Sequence, residues 1–212
     1  MYKAYQFKLS LMDGDEPIWR RFVIPAETNF KRLHDAIQLV MWWDDEHLAK
    51  FEDDLREPTF RFVLFPDEVY DYKEHLAYLK SKSELSEFER LMLNRLQRVK
   101  VRHMKNVKLP TIIEKHPVLY YTYDYGEDWT HELAFEGVIE DYPNPYPTVT
   151  EWVGETPHEG VGGWEGNQMI RDILADPTHP EHEAYKEASK GVQTYDVDKI
   201  NHMLEVYVTV KK

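Results

Sequence analysis

Two aromatic-rich alternating runs, residues 117–124 and 129–140, flank the four residues Tyr125, Gly126, Glu127 and Asp128. A short glycine-containing loop between two runs of β-forming residues specifies an antiparallel hairpin. A chain that must accommodate it is built around an antiparallel sheet. Because strand side chains alternate with period two, Trp129, His131, Leu133 and Phe135 share one face of the second arm, and Thr130, Glu132 and Glu136 share the other.

The N-terminal segment supports the same class. Residues 3–12 place Tyr5, Phe7, Leu9 and Leu11 on one face; a turn rich in Asp and Gly follows, and residues 18–24 alternate again. Thr28 or Asn29 then caps a predicted helix with the apolar stripe Phe30, Leu33, Ile37, Val40 and Met41. Further strands are expected at 47–52 and 59–65. The fold class is α+β: a β-grasp-like, mostly antiparallel sheet opened by β-β-α, with a charged helical insertion at about 66–116, where Ser86 and Glu89 fit a capping box. C-terminal helices are expected at 167–174, 180–189 and 196–204, and residues 206–210 fit a helix end or a strand equally. One domain spanning 1–212 accommodates all of this.

Composition removes whole classes of chemistry. The chain has no cysteine, which excludes disulfides, thiolate nucleophiles and Cys-based metal centres. With 39 Asp and Glu against 26 Lys and Arg, the net charge of −13 repels a phosphate backbone at long range. The first residues alternate in polarity and resemble no leader peptide, and no run of 18 apolar residues occurs. A cytoplasmic protein with no membrane contact is expected. There is no GxSxG, no Walker A and no HExxH; Gly160, Gly162, Gly163 and Gly166 lack the Lys and Ser/Thr that a phosphate loop needs.

What remains is the run 123–131, where Asp124 and Asp128 flank a glycine turn and Trp129 and His131 follow. Strand phase turns His131 toward the apolar side, so its burial demands a hydrogen-bond partner, and Asp124 or Asp128 is the natural one. This reads as a structural His–carboxylate pair, with acid–base or metal-binding capacity as the alternative. His47, with Asp44 or Asp45, is a second candidate set, able to meet Asp124 and His131 across the sheet and hold a divalent metal. His34 falls on the helix stripe and reads as a core histidine. His179 and His182 read as a solvated helix start. Between Lys80 and Lys108, nine Lys or Arg face three Glu, a local patch for an acidic partner or a weak nucleic-acid contact, or a helix neutralised by its neighbours.

The motifs Pro17-Ile18-Trp19-Arg20-Arg21, Leu33-His34, Trp43-Asp44-Asp45, His47-Leu48, Tyr123-Asp124, Gly126, Asp128-Trp129, His131, Glu136, Gly162-Gly163, Gly166 and His179-Pro180-Glu181-His182 run in an order that resembles the plasmid pRiA4b ORF-3-like family. The resemblance implies an uncharacterised, mobile-element-associated group, some of whose members are labelled transposon passenger proteins. Many relatives carry Cys-Pro-Pro-Glu-Asp where this chain has Thr156-Pro157-His158-Glu159-Gly160, and often a second histidine where it has Ala49. Both departures thin out a metal site, although His158 is itself a capable ligand. A serine recombinase is rejected, since no serine sits among phosphate-binding arginines. Two hypotheses stand: a non-enzymatic protein-binding or adaptor module, which is preferred and needs no cofactor, and a metal-assisted hydrolase or nucleic-acid-processing enzyme using His47, Asp124, Asp128, His131 and His158.

Overall fold

The structure, a computed structural model, describes residues 1–188 and 194–210. Strands β1 (Tyr2–Leu11) and β2 (Trp19–Pro25) form the opening hairpin, and helix α1 (Phe30–Met41) follows. Asn29 caps α1 by accepting from the Arg32 N–H at 2.9 Å. Trp42 ends it in the left-handed region, φ 62°, with backbone bonds returning to Gln38 and Leu39. Strands β3 (Ala49–Glu52) and β4 (Phe60–Val63) are shorter than the sequence runs that announced them. Then come α2 (Pro66–Ser81), α3 (Glu87–Arg98), β5 (Lys100–His103), a 3-10 turn and α4 (Pro110–Ile113). The central hairpin is β6 (Val118–Tyr123) and β7 (Trp129–Tyr142), followed by β8 (Thr148–Val153) and helices α5 (Gly163–Ala175), α6 (His182–Ala188) and α7 (Val197–Tyr207).

All eight strands join one sheet in the order β5-β4-β3-β6-β7-β1-β2-β8. Every pairing is antiparallel except β4 with β5. Helix α1 lies across one face, as a β-grasp-like arrangement requires. Its Phe30 ring meets Phe51 at 5.1 Å and Phe62 at 4.7 Å. The stripe residues Leu33, Ile37, Val40 and Met41 are fully buried, each contributing about 1.5–3 kcal/mol by removal from water. A single hydrophobic cluster draws on both ends of the chain, from Tyr5 to Val208.

Two strands depart from the sequence reading. Residues 148–153, which lie between the expected hairpin and the expected C-terminal helices, carry the β-favouring Thr148, Val149, Thr150, Trp152 and Val153 and pair with β2 as an edge strand. The segment 66–116 is helical in α2 and α3 and briefly again in the 3-10 turn and α4, but not throughout. Its Met104, Val107, Leu109 and Ile113 belong to the core, and β5 adds an edge to the sheet. The α2–α3 pair is the true arm: α3 buries no residue and α2 only Leu79. Ser86 and Glu89 do form the capping box that opens α3. At the other end α7 runs through Tyr207, so 206–210 begins as a helix end and forms no strand. The expected helix over 180–189 spans His182–Ala188 among the described residues; Ser189 lies outside them. No helix among the described residues is long and apolar enough to cross a membrane.

Candidate functional site

Asp124 and Asp128 both adopt left-handed backbone, each with φ 54°, a conformation that Asp tolerates better than most residues because its short side chain bonds locally. Asp124 Oδ1 accepts from the Gly126 N–H at 2.8 Å, and the Asp128 N–H closes the turn on the Asp124 carbonyl at 2.7 Å. The Asp128 carboxylate accepts from the Thr130 hydroxyl at 3.2 Å. Both carboxylates are therefore turn-formers.

His131 does not pair with either of them, which corrects the sequence expectation. It faces Tyr121 across the hairpin, and its Nδ1 lies 3.3 Å from the Tyr121 carbonyl. The two aspartates lie at the turn, where Asp124 Oδ1 and Asp128 Oδ1 meet the turn's own groups and Asp124 Oδ2 faces His47. His131 is fully buried, its Nε2 has no hydrogen-bond partner among the described residues, and burial pushes its pKa down to about 3. A neutral imidazole follows at every ordinary pH, with the Nδ1–H bond to the carbonyl fixing the tautomer.

Around that imidazole three loops interlock. Trp43 stacks on Tyr123 at 5.0 Å, meets His131 edge-on at 5.3 Å, and donates its indole N–H to the Pro157 carbonyl at 3.1 Å. The Tyr123 hydroxyl donates to Glu159 at 2.5 Å, and the same carboxylate accepts from the Asp44 N–H at 2.7 Å. Burial and the neighbouring Glu159 push the Tyr123 hydroxyl well above its usual pKa. Glu127 accepts from the Trp129 indole at 2.8 Å and from the N–H groups of Gly160 at 3.2 Å and Gly162 at 2.5 Å. Gly163 has φ +70°, and a Cβ there would come within 2.9 Å of the Glu127 carbonyl, so only glycine fits the approach. Arg20 is buried at the far end of the junction. It donates to the carbonyls of Trp19 and Val153 and to the Thr156 hydroxyl, with Tyr195 3.8 Å from its guanidinium carbon. Arg21 is different: it bridges Glu151 on the adjacent strand β8 and Glu136 on β7, which it reaches across β1.

The five residues proposed as one metal set are thus divided. His47 and Asp124 come together, with Nε2 3.6 Å from Oδ2. His131 is sealed in the core, and Asp128 serves the turn. His158 sits beside Pro157, whose carbonyl is held by Trp43. A different group, His34, Asp35 and Asp45, places its donor atoms within 4.8 Å of one another. Gln38 donates to the Tyr121 hydroxyl at 2.7 Å, and that oxygen lies 2.8 Å from His34 Nδ1. With the Tyr121 hydroxyl donating to an unprotonated Nδ1, His34 Nε2–H donates to Asp45 at 2.7 Å. No lone pair then faces the carboxylates. The Lys31 ammonium already bonds Asp35 and lies 3.9 Å from Asp45, so this place for a cation is filled by the chain itself.

The open site is what this junction supports. Trp164, at the start of α5, meets Trp129 edge-on at 5.5 Å and donates to the Met12 carbonyl at 2.7 Å. Its ring covers Gly14, where an added Cβ would lie 2.3 Å from the indole. Between the β1–β2 turn and α5 a groove of about 740 Å³ opens, floored by Trp164, Met169 and Ile173. Asp13, Asp15, Glu165, Asp172, Asp176 and Glu181 line it together with His179, and among the described residues no Lys or Arg does. The Thr178 hydroxyl and N–H hold Asp176 below the usual carboxylate range, which keeps it ionised. Sequence reasoning missed this site. Its acids are visible in the turn at 13–16 and along the helix, but nothing local says that segments 150 residues apart meet.

The family model described as "Plasmid pRiA4b ORF-3-like protein" matches residues 3–203. An uncharacterized protein, y4hQ, of Sinorhizobium fredii (strain NBRC 101917 / NGR234) is 29% identical over 172 residues, 81% of this chain and 73% of the relative. The crystal structure of a protein of unknown function, MM3350 from Methanosarcina mazei Go1, superposes with a TM-score of 0.68 at 22% identity, covering 94% of this chain and 98% of that one. That likeness extends to the fold.

Proposed function

This chain belongs to the plasmid pRiA4b ORF-3-like family, and from that premise we propose that it is a non-enzymatic binding module whose acidic groove takes a basic, partly apolar segment of a protein partner. The observation that carries this reading is the groove itself: six carboxylates, with His179 and, among the described residues, no Lys or Arg, around an apolar floor of Trp164, Met169 and Ile173. Met169 is half exposed there. Apolar floors of this kind favour aliphatic side chains, and the acidic rim selects lysine or arginine around them by complementarity. The separation of His47, Asp124, Asp128, His131 and His158 into different local roles supports a binding reading over a catalytic one. The interlocked junction behind Trp164 fixes one wall of the groove, which lowers the ordering cost of binding.

Isothermal titration calorimetry of the full chain at low salt, with a short peptide alternating lysine and leucine, tests the reading. Saturable binding that weakens with salt is expected, with none to the glutamate–leucine counterpart. The double variant Asp172→Lys, Asp176→Lys should lose about tenfold or more in affinity. Undiminished binding by that variant, or no binding by the wild type at millimolar peptide, overturns it.

A further inference from the structure

The nine cations between Lys80 and Lys108 do not form one surface. Lys82 bonds Glu89, Arg90 reaches the Leu85 carbonyl and Arg95 the Arg56 carbonyl. Three others, Arg98 from the last turn of α3 with Lys100 and Arg102 from β5, converge with Lys115 on a separate groove of about 380 Å³ at the opposite edge of the sheet from β8.

Several features of this groove point the same way. Among the described residues no carboxylate lines it, although acids outnumber bases 39 to 26 in the chain. Cations on the neighbouring strands are matched, Arg61 by Glu52 and Lys50 by the same carboxylate. Among the described residues these four side chains have neither an ion pair nor a hydrogen bond. The parallel register sets Lys100 beside Phe60 and Arg102 beside Phe62, so strand alternation puts both cations over the same floor, about 7 Å apart along the strand. That floor is apolar: Phe60 and Phe62 stack at 4.6 Å and are 7% and 1% exposed, and His116 closes on Phe60 edge-on at 5.1 Å. All four cations are exposed at the rim of the groove, so water and salt screen their mutual repulsion and it is felt chiefly at low salt. An anion between them relieves that repulsion.

We propose that this groove binds a compact polyphosphate anion, of the kind carried by a nucleoside triphosphate or by free tripolyphosphate. Arg98 and Arg102 supply planar forks suited to phosphoryl oxygens, and Lys100 and Lys115 add point charges. The volume is that of a small-ligand site. The net charge of −13 disfavours a long polyanion, whose remaining charges would face the acidic surface. The buried Phe rings offer no free face for a base to stack on, so the phosphate chain is the recognised part.

Calorimetric titration of the full chain at low salt with sodium tripolyphosphate, ATP, adenosine, a single-stranded RNA oligonucleotide and polyglutamate tests this. Tripolyphosphate and ATP should bind saturably and compete with each other, and adenosine should not bind. Equal affinities identify the phosphate chain as the ligand, and tighter ATP binding identifies a nucleotide. Arg102→Glu should weaken both by about tenfold or more. Arg90→Glu, which alters net charge equally but lies on the arm away from the groove, should leave both within about twofold. The proposal is overturned by absence of saturable tripolyphosphate binding, by equal losses in the two variants, or by a preference for RNA or polyglutamate over tripolyphosphate. Circular dichroism of both variants establishes that they are folded.

Discussion

The junction around His131 and the acidic groove beside Trp164 share a wall but are built on opposite terms. In the junction, side chains are buried or half-buried and, His131 Nε2 apart, their polar atoms are consumed by neighbouring loops: Glu127 by three N–H groups, Glu159 by Tyr123 and Asp44, Trp43 by Pro157. In the groove, carboxylates line an open cavity with an apolar floor. The density of motif residues therefore marks where the chain is locked, and the capacity to bind lies on what the lock holds in place.

That contrast is best attacked from the locked side. Trp129→Ala removes a fully buried indole and should cost about 3–5 kcal/mol in urea unfolding, with the groove lost alongside. A loss of under about 1 kcal/mol would contradict the picture of a load shared through Trp129 and Trp164.

A second attack uses pH. His131 has a folded pKa of about 3 against an ordinary 6.5, so the unfolded chain takes up a proton that the folded chain refuses. Its neutral form matches in both states above pH 6.5. Stability should therefore fall as pH drops from about 6.5 toward 3, at up to about 1.4 kcal/mol per pH unit from this one group. His131→Leu should flatten that part of the profile. An unchanged slope would mean that the imidazole is not sealed in the folded chain.

Glu127→Gln sharpens the boundary between the two regions. It keeps the size but halves the acceptor capacity that gathers Trp129, Gly160 and Gly162, and about 1–3 kcal/mol should be lost. Protection of the Gly160 and Gly162 amides against hydrogen exchange should drop first. The smallest effect belongs to the open side: Asp172→Lys should alter stability by no more than about 0.5 kcal/mol while weakening any basic ligand. A large loss of stability there would make the groove part of the lock.

Much of the fold was legible because its cause is local. Alternation in 3–12 and 129–140, the stripe from Phe30 to Met41 and the Ser86–Glu89 box each lie within one element, and each appears where it was read. Edge strands β5 and β8 were not read, since four to six residues with charged alternation resemble a loop until a neighbouring strand supplies the ladder. The site was harder to read. Strand phase correctly sent His131 inward, but its partner was set by register: Tyr121, directly opposite, presents a carbonyl before either aspartate can reach. His34, Tyr121 and Asp45 meet only because α1 crosses β6. The acidic groove depends on Met12 meeting Trp164 and the basic one on β4 lying beside β5, and pairings between distant segments leave no local trace.

The Trp164 bond to the Met12 carbonyl joins residues 152 positions apart. Closing a loop of that length carries a large entropy cost, and contacts of such separation form after local ones. During synthesis, which delivers the N-terminal segments first, the opening hairpin exists well before its indole cover has emerged. The groove is then among the last surfaces to be completed, and a partner that recognises it recognises only chains that have already folded.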